Sequence, residues 1–82
     1  MPTRKTIGTE NLVGQNILFL RRAKKMKQAQ LLAQLQTRGI DISQSALSDI
    51  EGQNRKVSDR ELFALAEIFG ISVDTLFSLP EQ

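Results

Sequence analysis

Residues 43–51, Ser-Gln-Ser-Ala-Leu-Ser-Asp-Ile-Glu, decide how the rest of the chain is read. They predict a short helix: Ser43 is a capping residue, Leu47 and Ile50 turn inward three positions apart, and Gln44 and Ser45 open a polar outer edge. Glutamine in a first turn presents a donor and an acceptor side by side, which matches the edge of adenine. Preceded by a second amphipathic helix, such a segment suits insertion into the major groove of DNA.

Upstream, Leu31, Leu32 and Leu35 define the inward stripe of a helix over about 28–38, and Gly39 is placed to end it in a left-handed conformation. Before that helix, Val13, Ile17, Leu20 and the stem of Lys24 mark another over about 12–25, with Asn11 as its cap and Gly14 in its first turn. Ile40 and Ile42 alternate with a wet Asp41 to lead into residues 44–51. Downstream, Ser58 and Glu61 form a capping box for a helix over about 58–69, whose Leu62, Leu65, Ala66 and Phe69 follow helical spacing. Val57 anchors the polar loop before it; Gly70 stops that helix, and Ser72 caps a short one over about 73–79. Five helices and no credible strand predict an all-α fold. Residues 1–10 read as a flexible arm, 11–79 as one domain and 80–82 as a tail.

Composition narrows the function. A chain of 82 residues buries roughly 60–65% of its unfolded surface, so its core is small. It has no cysteine and no histidine, which removes disulfides, thiolate metal sites and the commonest general base at neutral pH. Asp41, Asp49 and Glu51 show no convergence on a pocket, so neither an enzyme, a metal nor another cofactor is expected. No apolar run approaches a membrane span and no signal peptide is evident, which predicts a cytoplasmic protein. The charge is polarised: residues 1–39 carry eight basic side chains against Glu10 alone, whereas residues 40–82 carry three against eight acidic ones. A polyanion docked on the basic side accounts for this; Lys24, Lys25 and Lys27 as complements to a helix C-terminus account for part of it equally well.

Three stretches resemble the Cro/repressor-type (XRE-like) helix-turn-helix family. Leu20-Arg-Arg-Ala-Lys-Lys-Met-Lys-Gln-Ala-Gln-Leu-Leu-Ala-Gln-Leu35 is similar to its Leu-Arg…Gln-x-x-Leu-Ala-x-x-Leu pattern. Ile42-Ser-Gln-Ser-Ala-Leu-Ser-Asp-Ile-Glu51 is similar to its recognition helix, and Leu62 to Leu76 to its closing helices. The resemblance covers about residues 11–79 and implies a five-helix repressor-like DNA-binding domain. The chain is several residues longer than the commonest family turn between Leu35 and Ile42, as in a subgroup whose second helix gains a turn. Leu32 stands where the family usually has Ala at a close helix approach, so the longer turn has to make room for it.

The resemblance also implies site residues. Gln44, Ser45 and Asp49 match the base-reading positions. Gln28 matches a residue that contacts phosphate and hydrogen bonds to the base-reading Gln44. Arg21 and Glu51 match a buried ion pair, whose partners lie beside inward residues where an unpaired charge is expensive. Gln53, Asn54, Arg55 and Lys56 follow the recognition helix and are expected at the phosphate backbone. The residues themselves leave alternatives open. Ser45 serves equally as a helix cap. Asp49 either accepts from cytosine N4 or repels wrong sequences. Ser48 either touches phosphate or covers the flank of the helix. Asn54 serves equally as a turn residue, Arg4 and Lys5 either follow a groove or stay idle, and Gln30, Gln34 and Gln36 read as solvated surface.

The expected function is sequence-specific DNA binding in transcriptional regulation, with double-stranded DNA as partner and no small-molecule ligand evident. The sequence reaches Gln82 soon after the fifth helix, so no effector-binding domain is expected in these residues. Phe19, Phe63, Ile68 and Phe77 lie at the edges of the inward stripes, as core periphery or as part of a homodimer interface. The rival reading is a protein-interaction module, such as an antitoxin-like partner, using the same fold; the acidic half and surplus aromatics motivate it.

Overall fold

A computed structural model describes residues 8–78, and they form five helices with no strand among them. In chain order these are α1 (Gly14–Ala23), α2 (Gln28–Gln36), α3 (Gln44–Glu51), α4 (Asp59–Phe69) and α5 (Val73–Phe77). The expected arm through Ile7 and the end of the chain from Leu79 lie outside the described residues. α1 and α2 are each about two residues shorter at the C-terminal end than the periodicity suggests, and α1 starts at Gly14, not near Leu12. Leu12 is 78% exposed and Lys24 is exposed, so the inward apolar stripe of α1 runs from Val13 to Leu20.

Eight side chains are sealed from solvent: Val13, Ile17, Leu31, Leu35, Leu47, Ile50, Leu65 and Leu76. Every helix contributes to that set or flanks it, and α3 packs against both α1 and α2. Burying a leucine or isoleucine of this kind stabilises by about 1.5–3 kcal/mol relative to exposure. Ile40 is buried and Ile42 half-buried around an exposed Asp41, so the link from α2 to α3 is pinned to the core at two points. Leu32 sits half-buried against the core.

The helix starts follow local chemistry. Ser43 Oγ accepts from Ala46 N, Ser72 Oγ from Thr75 N, and Ser58 and Glu61 complete the capping box with bonds of 2.9 and 3.1 Å. The ends of α1 to α4 share one motif. At Met26, Ile40, Asn54 and Ile71 the backbone N–H reaches back five residues, to Arg21, Leu35, Asp49 and Ala66 carbonyls. Each is preceded by a left-handed residue, and these are Lys25, Gly39, Gln53 and Gly70 in turn. Glycine announced two of these stops in the sequence; Lys25 and Gln53 carry no such signal.

Gly14 has a different role. A side chain there would run into the backbone carbonyl of Ile50, so its absence lets α1 lie against the C-terminal end of α3. The face of α3 that bears Leu47 and Ile50 is thereby held from both sides, and the opposite edge is left to solvent.

Candidate nucleic-acid interface

The first turn of α3 is open: Gln44 and Ser45 are exposed, and Asp49 is half-buried one turn beyond Ser45. Ser43 caps the helix, so the Ser45 hydroxyl is not needed for that task. What gives Gln44 a defined orientation lies beneath it. Arg21 and Glu51 meet as a two-pronged pair, with Nε at 2.7 Å and Nη2 at 3.1 Å from the two carboxylate oxygens. Their side chains are 12% and 6% exposed, and Arg21 Nη1 also donates to the Met26 carbonyl at 2.9 Å. α1, the turn after it and the end of α3 are tied together by this one guanidinium.

Glu51 reaches further. Its Oε1 accepts from Gln28 Nε2 at 3.0 Å, and the same amide nitrogen donates to Ser48 Oγ at 3.2 Å. An ionised carboxylate only accepts, so the Gln28 amide must turn its NH2 toward Glu51 and its oxygen away. That oxygen accepts from Gln44 Nε2 at 3.0 Å. Gln44 is left with one amide proton and its own oxygen facing outward. Arg21, Glu51, Gln28 and Gln44 therefore form a continuous path from the buried ion pair to the exposed edge of α3.

This arrangement changes what Gln28 can offer. Both of its amide protons are engaged inside the protein, so its side chain does not present them to phosphate; the unpaired backbone N–H groups at the start of α2 remain as donors. The role of Ser48 is open in the sequence between phosphate and the helix flank, and the structure places its hydroxyl against Gln28. Lys27 precedes α2 and is exposed, with its backbone N–H held by Gln30 Oε1 at 2.7 Å. Gln30 is thus a local cap as well as surface. Gln34 accepts from Arg38, which also pairs with Glu67 at 3.0 Å.

Beyond α3 the expected backbone-contacting residues divide. Asn54 and Lys56 are exposed. Gln53, in its left-handed conformation, directs its amide to the Asn11 carbonyl at 3.1 Å, inward from the surface. Arg55 grips Glu61 through both terminal nitrogens at 3.0 and 2.9 Å and also donates to the Lys56 carbonyl. The hydrogen bonds that Arg55 donates to Glu61 raise the Arg55 pKa against the effect of burial, with the charges of Glu61 and Asp49 adding to it. The same bonds from Arg55 lower the Glu61 pKa, helped by the Ser58 backbone N–H. Gln53 and Arg55 therefore brace the loop through bonds within the domain, and Asn54 and Lys56 are the exposed residues between and beside them. Asn11, expected only as a cap, does more: Oδ1 accepts from Val13 and Gly14 N–H, and Nδ2 donates to the carbonyls of Ile50 and Arg55 at 3.1 and 2.8 Å. No periodicity flags an asparagine that bridges 44 residues of sequence.

The outer surface so built has one polar edge with a fixed hydrogen-bond pattern, flanked by the exposed Lys27 on one side and Asn54 and Lys56 on the other. Among the described residues, no helix is long and apolar enough to cross a membrane. A family model described as Helix-turn-helix matches residues 17–76, which spans the path from α1 to α5. No curated protein and no solved structure matches the chain.

Proposed function

The chain belongs to the Cro/repressor-type (XRE) family of DNA-binding helix-turn-helix proteins, and from that premise we propose a cytoplasmic, sequence-specific transcriptional regulator that inserts α3 into the major groove. The single observation behind this reading is the outward edge of Gln44, whose hydrogen-bond polarity is set by Gln28 and, through it, by Glu51. One proton and one oxygen, side by side, pair with N7 and N6 of adenine. Ser45 neighbours it as a weaker reader. Asp49, nearer the loop and within electrostatic reach of Arg55, accepts from a cytosine amino group or disfavours other bases.

Asn54 and Lys56, the backbone N–H groups that open α2, and the exposed Lys27 supply sequence-independent contacts to phosphate. Two copies on one duplex fit the same reading, because one domain of this size buries less surface than tight specific binding usually takes. The open apolar side chains of Leu12 and Phe77 support such a pairing.

Mobility shifts on random-sequence duplex at two salt concentrations test the proposal. Binding that weakens steeply with salt, by close to one logarithmic unit of slope per phosphate contact, is expected. Absent or salt-insensitive binding favours a protein partner, as in an antitoxin-like module.

A further inference from the structure

The segment before α1 is stitched to the end of the recognition helix. Gly8 N–H donates to the Gly52 carbonyl and Glu10 N–H to the Gln53 carbonyl, both at 2.9 Å. Asn11 Nδ2 takes the carbonyls of Ile50 and Arg55, and Gln53 Nε2 returns a bond to the Asn11 carbonyl. Five bonds thus join residues 8–11 to residues 50–55, and four carbonyls at the end of α3 and in the loop after it accept a bond from this segment. The loop needs such support, because its turn places a non-glycine residue, Gln53, at a φ of 62°.

We propose that residues 8–11 are a positioning strap for the DNA-facing loop, holding Asn54 and Lys56 where they meet the phosphate backbone. The inference rests on the DNA-binding reading and extends it to residues that touch no DNA. A docked strap orders the loop before binding, so the complex does not have to order it. Undocking weakens binding to every sequence alike, because the loop positions the domain and reads no base. The role is separable from the ion-pair path that orients Gln44, since no strap bond involves Gln28 or Glu51.

Gly8 supplies the test. Any side chain there runs into the Gln53 carbonyl and the Asn54 side-chain oxygen, while the charge of the chain and its core stay unchanged. The full chain and its Gly8→Val variant are compared for thermal unfolding, for hydrogen exchange at Glu10, and for binding to two probes. The probes are a random-sequence duplex and the best duplex selected from a random pool, each at two salt concentrations. The variant is expected to melt within a few degrees of the wild type, to lose exchange protection at Glu10, and to bind both probes about tenfold more weakly. Its salt slope falls by about one, the share of one displaced phosphate contact. Unchanged affinity and slope with the strap undocked overturn the proposal, as does a loss confined to the selected duplex. Gly8→Ala carries the same colliding carbon with less bulk and is read in the same way if valine prevents folding. A wild-type chain that binds neither probe removes the DNA reading and this role with it, whereas wild-type binding matched by the variant removes the strap alone.

Discussion

Gln44 donates to Gln28 at 3.0 Å, and the direction of that bond is set from below, because Gln28 gives its own protons to Glu51 and Ser48. An amide that is otherwise free to turn over is held in one of its two orientations by a carboxylate that cannot donate. The consequence is chemical: the outward edge of Gln44 keeps its oxygen and a single proton.

Removing the brace should blur reading without unfolding the domain. Gln28→Ala frees Gln44 to rotate and invert, and discrimination at the base pair it faces should fall by about 1 kcal/mol, the net value of one such hydrogen bond. Competition binding between duplexes that differ at that base pair measures it. Undiminished discrimination argues that Gln28 does not orient Gln44.

The ion pair beneath should be indispensable as half of a pair and replaceable as a whole. Arg21→Met leaves Glu51, 6% exposed, without its counter-charge and should destabilise by about 3–5 kcal/mol. Arg21→Met combined with Glu51→Met should recover most of that loss, since apolar replacements avoid the cost of desolvating two charges. Urea unfolding of the two variants and the wild type gives the comparison. A double variant no more stable than Arg21→Met contradicts it.

Acid should weaken the link between the loop and α4. Arg55 holds the Glu61 carboxyl below its ordinary value of 4.5, so the stabilisation is present above that value and is lost as pH falls through the lower folded-state value. Glu61→Gln keeps an acceptor for the capping box but removes the charge. It should cost about 1–2 kcal/mol at pH 7, in the range of a hydrogen bond to a charged group. The gap should narrow as the pH falls through the folded-state value of the carboxyl, which lies below 4.5. Denaturant titrations of both proteins at pH 7 and pH 3 check the sign; an equal gap at both would contradict it.

The stop after α1 should be improvable. Lys25 adopts a φ of 54° with a side chain that disfavours it by about 1–2 kcal/mol. Lys25→Gly removes that strain but adds about 0.5–1 kcal/mol of unfolded-state entropy, for a net gain of about 0.5–1 kcal/mol. A higher melting temperature is the expected result. The neighbouring Gly39 and Gly70 turns already have the residue their geometry favours.

The legible parts of this fold are those written in periodicity and capping chemistry. The stripe of Leu31 and Leu35, the Ser58–Glu61 box and the glycine stops at 39 and 70 each follow from neighbours within one or two turns. What stayed hidden depends on residues far apart in sequence meeting in space. Asn11 looks like any helix cap until Ile50 and Arg55 arrive beside it, and nothing in the loop sequence announces the two-pronged bond that Arg55 makes to Glu61. The resemblance named Arg21 with Glu51 and Gln28 with Gln44 as two separate pairs. Their union through the second carboxylate oxygen required coordinates, since one hydrogen bond decides which way an amide faces.

The most direct measurement is selection of bound duplexes from a random pool by the wild type and by Gln44→Ala, at one salt concentration. The wild type should return sites with adenine strongly preferred at a position that the variant no longer specifies, a loss of about 1–3 kcal/mol there, with neighbouring preferences and the salt dependence retained. Identical preferences from the two proteins, or no enrichment by the wild type, would contradict the claim that α3 reads DNA through Gln44.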